Sequence, residues 1–380
     1  MSLFLIIFFL IYGSFHLYAL LKARTAFRIR GISLIGAALF MLVMVPAPLL
    51  VRISERKGYE TLAGIIAGVG YTWMGWLFLL VSTLVFLDLV RLLIITANFL
   101  ISRQRHVRLP AREAFVIALA LASAAAGYGW FEARDIRTRK IVIETEKLPP
   151  DLPQFKIALI SDVHLGLQMR EKQLARILLA VKEAEPDLLV SAGDLVDGQI
   201  DGLSGLSGLF QKINPPFGKY AVTGNHEYYA GISESLDFMK KAGFTVLRGE
   251  TVSIGRVISL SGVDDSTAER FGNGRYVSEK ELLSRMTDEK FSVLLKHKPV
   301  VTTDNSKHFD LQLSGHTHNG QLFPFVLLTS LKFPFATGKL HRLPQGLLYV
   351  SPGAGTWGPP MRFFAPPEVT VIELVRKMGD

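Results

Sequence analysis

Four long apolar runs, at residues 3–21, 32–51, 61–87 and 114–130, dominate the first third of the chain. Each approaches or exceeds the roughly 17–25 residues that cross a hydrocarbon core of about 30 Å. They predict an all-α transmembrane region of about four helices over residues 1–130. The first run has no basic residues ahead of it and a basic cluster behind it, which fits an uncleaved span and not a secretory leader. The third continues past Asp88 and Arg91 without the polar loop that two spans would need, so it is expected to be one helix running on into the interface. Asp88 and Arg91, three apart on one helical face, read as a paired or snorkelling group at that helix end.

Charge supports the division. Of 42 Lys/Arg and 33 Asp/Glu, residues 1–140 hold 16 and 6, leaving 26 and 27 for the rest. The net charge of +9 is therefore a property of the segments flanking the apolar runs, which points to membrane lipids as partners and excludes a nucleic-acid surface. Four spans put both chain ends on one side of a cell (plasma or inner) membrane. Basic residues leading into a large domain restrain translocation less than those in short loops, which favours an exocytoplasmic C-terminal domain.

Beyond a connector at 131–150 the composition becomes that of a soluble α/β unit, residues 151–380. Strands are expected at Lys156–Ile160, Leu188–Ala192, Tyr220–Thr223, Ser292–Leu295 and Leu311–Leu313, and a further one at Ile258–Val263. Leu174, Ile177, Leu178 and Val181 recur at helical spacing within an expected helix, Gln173–Ala184. The first five strands each run into a loop rich in ligand-type residues: Ser161-Asp162-Val163-His164, Gly193-Asp194-Leu195-Val196-Asp197, Gly224-Asn225-His226-Glu227, Lys296-His297-Lys298, and Gly315-His316-Thr317-His318-Asn319. One Asp after a strand is ordinarily a helix cap. Five such loops, holding five of the nine His, converge on one place at the carboxyl ends of the strands. With no Cys in the chain, disulfides and thiolate ligands are excluded, and metal chemistry must use His and oxygen donors.

The series Asp-x-His, Gly-Asp-x-x-Asp, Gly-Asn-His-Glu, His and Gly-His-x-His resembles that of the calcineurin-like metallophosphoesterases, over roughly residues 150–375. Within them the longer forms Thr223–Tyr229 and Gly315–Gln321, and the tail Arg362–Glu368, are similar to the bacterial branch that includes YkuE and YaeI. Asn319 departs from the Gly often found there. The resemblance implies sandwiched mixed sheets of α+β type and two divalent metal ions, for which carboxylate, amide and imidazole donors suit Mn, Fe or Zn. It implies that Asp162, His164 and His318 hold one ion, that Asn225, His297 and His316 hold the other, and that Asp194 bridges them. It further implies hydrolysis of a phosphoester by metal-activated water, with His226 as general acid; a bond from His226 to Asp162 or Asp194 is its other expected role. Asp197 and Glu227 read as supporting or capping residues, and Asp264-Asp265 as a solvated turn.

The membrane region and the apolar stretch Leu322–Phe335 suggest a lipid-linked or envelope-associated phosphoester. A UDP-2,3-diacylglucosamine-type pyrophosphate is an alternative that needs a cytoplasmic site. A membrane sensor or transporter regulated by the phosphoesterase domain is a second, which needs more ionisable residues in the spans than Asp88 and Arg91. No protein partner is evident from the sequence.

Overall fold

The structure is a computed structural model that describes residues 3–100, 110–198, 203, 205–272, 277, 279–284, 289–301, 308–335 and 337–377. The chain divides into two compact units, residues 1–131 with 358–363, and residues 132–357 with 364–380.

The first unit contains α1 (Leu3–Phe27), α2 (Gly31–Met44), α3 (Ala47–Arg56), α4 (Glu60–Leu100) and most of α5 (Ala111–Glu132). Three helices, Leu5–Phe27, Glu60–Leu100 and Ala111–Glu132, are long and apolar enough to cross a membrane, and a fourth crossing exists if the bent pair α2–α3 is one span. The second apolar run is thus not one straight helix: the chain bends by 43° between α2 and α3. Pro46 sits at that break, where it supplies no N–H to continue the ladder. The expected single long helix is α4, whose 41 residues extend about 60 Å. Asp88 on α4 meets α1, with Lys22 Nζ and the Tyr18 hydroxyl donating to its carboxylate at 2.6 and 2.7 Å. Its principal ion-pair partner is therefore Lys22, which lies far from it in sequence, and not Arg91. The basic residues Arg103, Arg105 and Arg108 lie outside the described residues.

The second unit is built on two six-stranded mixed sheets. In chain order its strands are β1 (Arg137–Thr145), β2 (Gln154–Ile160), β3 (Leu188–Ser191), β4 (Lys219–Ala221), β5 (Thr245–Val246) and β6 (Glu250–Ile254). They continue with β7 (Ile258–Gly262), β8 (Phe291–Leu295), β9 (Leu311–Ser314), β10 (Leu340–Leu343), β11 (Gly346–Val350) and β12 (Glu368–Arg376). One sheet has the order β1-β12-β2-β3-β4-β5 and the other β10-β11-β9-β8-β7-β6. The helices are α6 (Glu171–Glu183), α7 (Ser207–Phe210), α8 (Asn225–Ala230), α9 (Ile232–Lys241), α10 (Ala268–Phe271), α11 (Glu279–Leu283) and α12 (Val326–Lys332).

Side chains alternate across each strand, and this period of two separates the cores. On β2, Ile157 and Leu159 face the inter-sheet core with Leu188, Val190, Leu260, Val293, Leu295 and Tyr349. Ala158 and Ile160 face the opposite way, into a core with Leu174, Ile177, Leu178 and Val181 of α6 and Phe238 and Met239 of α9. The four α6 residues singled out by their spacing are all buried. Leu294 of β8 turns outward to Leu283 and Phe309, so the second sheet too is packed on both faces. This explains why the central strands read as continuous apolar runs.

The segment expected to be only a connector contains β1, which pairs in parallel with β12 from Arg137↔Glu368 to Thr145↔Arg376. β1 is an edge strand whose first four residues are exposed, so Arg-Thr-Arg-Lys carries no apolar face that would mark it from sequence. Phe155, wholly buried between the sheets, is the position at which this packing is best tested. Phe155→Ala is expected to cost about 3–5 kcal/mol, seen as a lowered thermal midpoint of the detergent-solubilised chain.

Candidate metal centre

The loops that leave the carboxyl ends of the parallel strands are tied to one another by backbone hydrogen bonds before any side chain is considered. The N–H groups of Asp162, His164 and Leu165 donate to the carbonyls of Gly193, Asp194 and Leu195, each at 3.0 Å, and Gly315 N–H donates to His297 at 2.9 Å. Glu227 adds a buried anchor. Its carboxylate accepts from the N–H of Asp194 (3.0 Å), Leu195 (2.7 Å), Val196 (3.2 Å) and Gly224 (2.6 Å), which locks the loop after β3 to the start of α8. Its sequence reading as a cap is thereby enlarged. Burial, and then the neighbouring Asp194 charge, push the Glu227 carboxyl up to about 7 against the pull of those donors.

Asp162, His164, Asp194, His316 and His318 all adopt left-handed backbone, with φ between 50° and 72°. For residues other than glycine such conformations cost of order 1 kcal/mol or more each and persist only where surrounding structure imposes them. Asn319, at φ 52°, follows the same path, and asparagine is the residue after glycine that tolerates it best. Gly224 admits no side chain: a Cβ there would collide with the Asp194 carboxylate and with the Asp194 N–H 2.6 Å away.

Six of the seven sequence-predicted ligands come together, and the seventh, Asn225, opens α8 next to His226, whose N–H bonds Asp194. His164 Nε2 and His318 Nε2 face each other at 3.0 Å, and Asp162 Oδ1 lies 3.4 Å from His318 Nε2. His297 Nε2 and His316 Nδ1 face each other at 3.1 Å, with Asp194 Oδ2 3.1 Å from His297 Nε2 and 3.8 Å from His164 Nε2. The one-residue separation of His316 and His318 is resolved by loop curvature, which sends one ring toward His297 and the other toward His164. Asp162, His164 and His318 form one group able to hold a metal ion, and Asp194, His297 and His316 another. Asn225 Oδ1 is buried and has no hydrogen-bond partner among the described residues. An orphaned amide oxygen, two pairs of facing imidazole nitrogens and a carboxylate between them are donors arranged for cations, so the residues fit divalent metal.

The electrostatics agree. Burial pushes His164 down to about 3, helped by His226, and pushes His316 down to about 3, helped by His297, which favours both imidazoles in the neutral form that a metal ion requires. Burial also lifts Asp162, to about 6. Asp194 goes the other way: burial opposes its charge, but His297 and His226 hold it well below the usual carboxylate range. Burial likewise disfavours a charged His297, yet Asp194 outweighs it and raises the imidazole to about 10. His297 Nδ1 lies 2.8 Å from the Ala192 carbonyl, which fixes Nδ1 as the donor and directs Nε2 toward Asp194.

His226 is 6% exposed, and its Nδ1 lies 2.9 Å from Asp197 Oδ1. The expected side-chain bond to Asp162 or Asp194 is replaced by this one, while the His226 backbone N–H donates to Asp194 Oδ1 at 2.8 Å. The His226 ring stands edge-on to His164, with centroids 4.6 Å apart, and to Tyr229 and Trp357 at 5.3 and 5.5 Å. Sequence reasoning missed Gln321, which grips the Trp357 backbone from both sides: Nε2 donates to its carbonyl at 3.0 Å and Oε1 accepts its N–H at 2.9 Å. Only their placement 36 residues apart across the fold makes that contact, and no local pattern signals it. Asp264 and Asp265 are not a solvated turn. Asp264 pairs with Arg248 at 2.9 Å and Asp265, 4% exposed, with Lys298 at 2.8 Å.

Fold and site together define a metal-dependent phosphoester hydrolase. Residues 155–320 match the calcineurin-like phosphoesterase family, and the chain belongs to it. It is similar to an uncharacterized metallophosphoesterase of Aquifex aeolicus, 44% identical over 252 residues, a match covering 66% of this chain and 96% of that protein. It is also similar to the uncharacterized metallophosphoesterase YkuE of Bacillus subtilis, 35% identical over 66% of this chain and 91% of that protein. A "transmembrane protein with metallophosphoesterase domain" of Danio rerio is 34% identical over 68% of this chain and 62% of its own length.

Asp194 favours a proton on His297, and a metal ion taking that nitrogen would displace it. Metal affinity is expected to rise about tenfold per pH unit for that proton. Titration calorimetry in buffers of different ionisation enthalpy, extrapolating to about one proton released at pH 7, checks this.

Proposed function

We propose that the chain is a membrane-anchored phosphoesterase with a dinuclear centre, acting on a lipid-linked or envelope-associated phosphoester. The observation that carries the reading is the pair of facing imidazole couples on either side of Asp194. Asp162, His164 and His318 would hold one ion, Asn225, His297 and His316 the other, with Asp194 common to both. When bound, two divalent ions, Mn, Fe or Zn by donor type, supply Lewis-acid activation of water and neutralise phosphoryl charge.

The remaining chemistry belongs to protein side chains. His226, beside the ligand Asn225 but outside both couples, delivers a proton to the leaving oxygen. Asp197 faces Nδ1, so the proton to be delivered sits on Nε2, and the carboxylate stabilises the imidazolium that a general acid requires. Tyr229 and Trp357 flank the ring and limit the water around it. Glu227 holds Asp194 and Asn225 in register by gripping the backbone around both.

Asp194→Ala is expected to remove both metals, as counted by elemental analysis. His226→Ala is expected to retain them and to lose about 10²–10⁴-fold in kcat on an aryl phosphate. Asp197→Asn moves the alkaline limb of the kcat profile to lower pH, because the imidazolium loses its counter-charge. A purified, folded, metal-loaded chain that hydrolyses no phosphate monoester or diester would sink the reading.

The exocytoplasmic placement of the catalytic unit is part of the same proposal, supported by the loop charges and by counting α2–α3 as one span. A reporter active only outside the cytoplasm, fused after Asp380, is expected to give signal. Silence of that reporter with activity of a cytoplasmic one would overturn the placement and favour a nucleotide-linked lipid substrate.

A further inference from the structure

Directly after the Gly-His-x-His ligands the chain leaves the metal centre, forms α12 and returns. Gly320 ends the ligand turn so close to Val326 that a Cβ there would strike its backbone. Phe333, just past α12, packs edge-on against His316 at 5.1 Å, and Thr337 bonds Thr317 at 2.8 Å. Both ends of the excursion are therefore fixed to the ligand loop, while its middle is turned to solvent. Leu331 follows Leu328 by three residues and Leu327 by four, so it shares a helical face with both. They are 60%, 59% and 83% exposed, and Phe323 and Phe325 ahead of them are each 43% exposed. None of these side chains contributes to the cores of the unit.

The charge along this stretch of chain has one sign. From Asp310 to Glu368 the chain contains no acidic residue, and the exposed basic residues Lys332, Lys339 and Arg342 follow the leucines. An apolar face edged by cations matches the acyl boundary and anionic headgroups of a bilayer. Five partly exposed side chains fall short of the roughly 800 Å² per partner of a stable protein interface, and the same chain carries helices long enough to span a membrane. We propose that α12 and Phe323–Phe325 dock on the bilayer surface and that the metal centre takes its phosphoester from the headgroup layer there. The second half of this statement rests on the phosphoesterase reading; the first does not.

The absence of Cys makes Leu331→Cys a unique labelling site. The full chain, labelled there with bimane, is placed in nanodiscs of phosphatidylcholine and phosphatidylglycerol with or without brominated acyl chains. Quenching by the brominated lipid is expected at 331 and not at Leu179→Cys, an exposed leucine of α6. An unquenched label at 331 overturns the docking, and if it is also shielded from aqueous quenchers the occupant is protein. Leu327→Asp with Leu328→Asp is expected to lower hydrolysis of an acyl-tethered aryl phosphate in the nanodisc by at least about tenfold, with the untethered aryl phosphate unchanged. Equal loss on both overturns delivery from the bilayer. If the unsubstituted chain hydrolyses neither, the phosphoesterase reading fails while the quenching result stands by itself.

Discussion

Four backbone N–H groups, those of Asp194, Leu195, Val196 and Gly224, converge on the buried carboxylate of Glu227. A carboxylate without water is expensive, and so are orphaned amides, and each settles the other's cost. The consequence is positional. The loop after β3, which carries Asp194, and the start of α8, which carries Asn225 and His226, cannot move independently. The His226 N–H bond to Asp194 and the ban on any side chain at Gly224 follow from how tightly the two are drawn together. The separation of the imidazole couples in turn depends on where Asp194 is held.

The second constraint is the left-handed backbone at five of the seven expected ligands. Loops that change direction within a residue or two let neighbouring side chains aim at different targets, as His316 and His318 do. The cost is met by the sheets beneath: β2, β3 and β8 are packed on both faces, β9 is buried along its whole length, and the loops they release are stitched together by main-chain bonds. Rigid strands carrying strained turns are the usual basis of precise ligand placement.

Much of this was legible in the residues. The membrane region announced itself through apolar length, and the ligand loops through the recurrence of Asp, Asn and His immediately after β-type runs. The α6 helix was legible because a period of 3.6 requires only one core to face. Features that depend on distant pairing were not. β1 is polar at its exposed end and reads as a connector, since only β12, more than two hundred residues on, makes it a strand. Asp264 and Asp265 look like a turn until Arg248 and Lys298 are brought to them. Lys22 became the partner of Asp88 through packing of α1 on α4, whereas helical spacing offered only Arg91.

The sequence by itself determined the chemistry available: apolar segments long enough for a membrane, no thiol, and a set of His, Asp and Asn placed at strand ends, because these follow from composition and short-range order. Tertiary structure decided which nitrogen faces which, that Asp197 meets Nδ1 of the His226 ring, that Gln321 fixes Trp357 beside it, and that a leucine face stands open on the helix following the His316–His318 turn. Each of these is a contact between residues remote in the chain, set by how two sheets pack and not by any local preference.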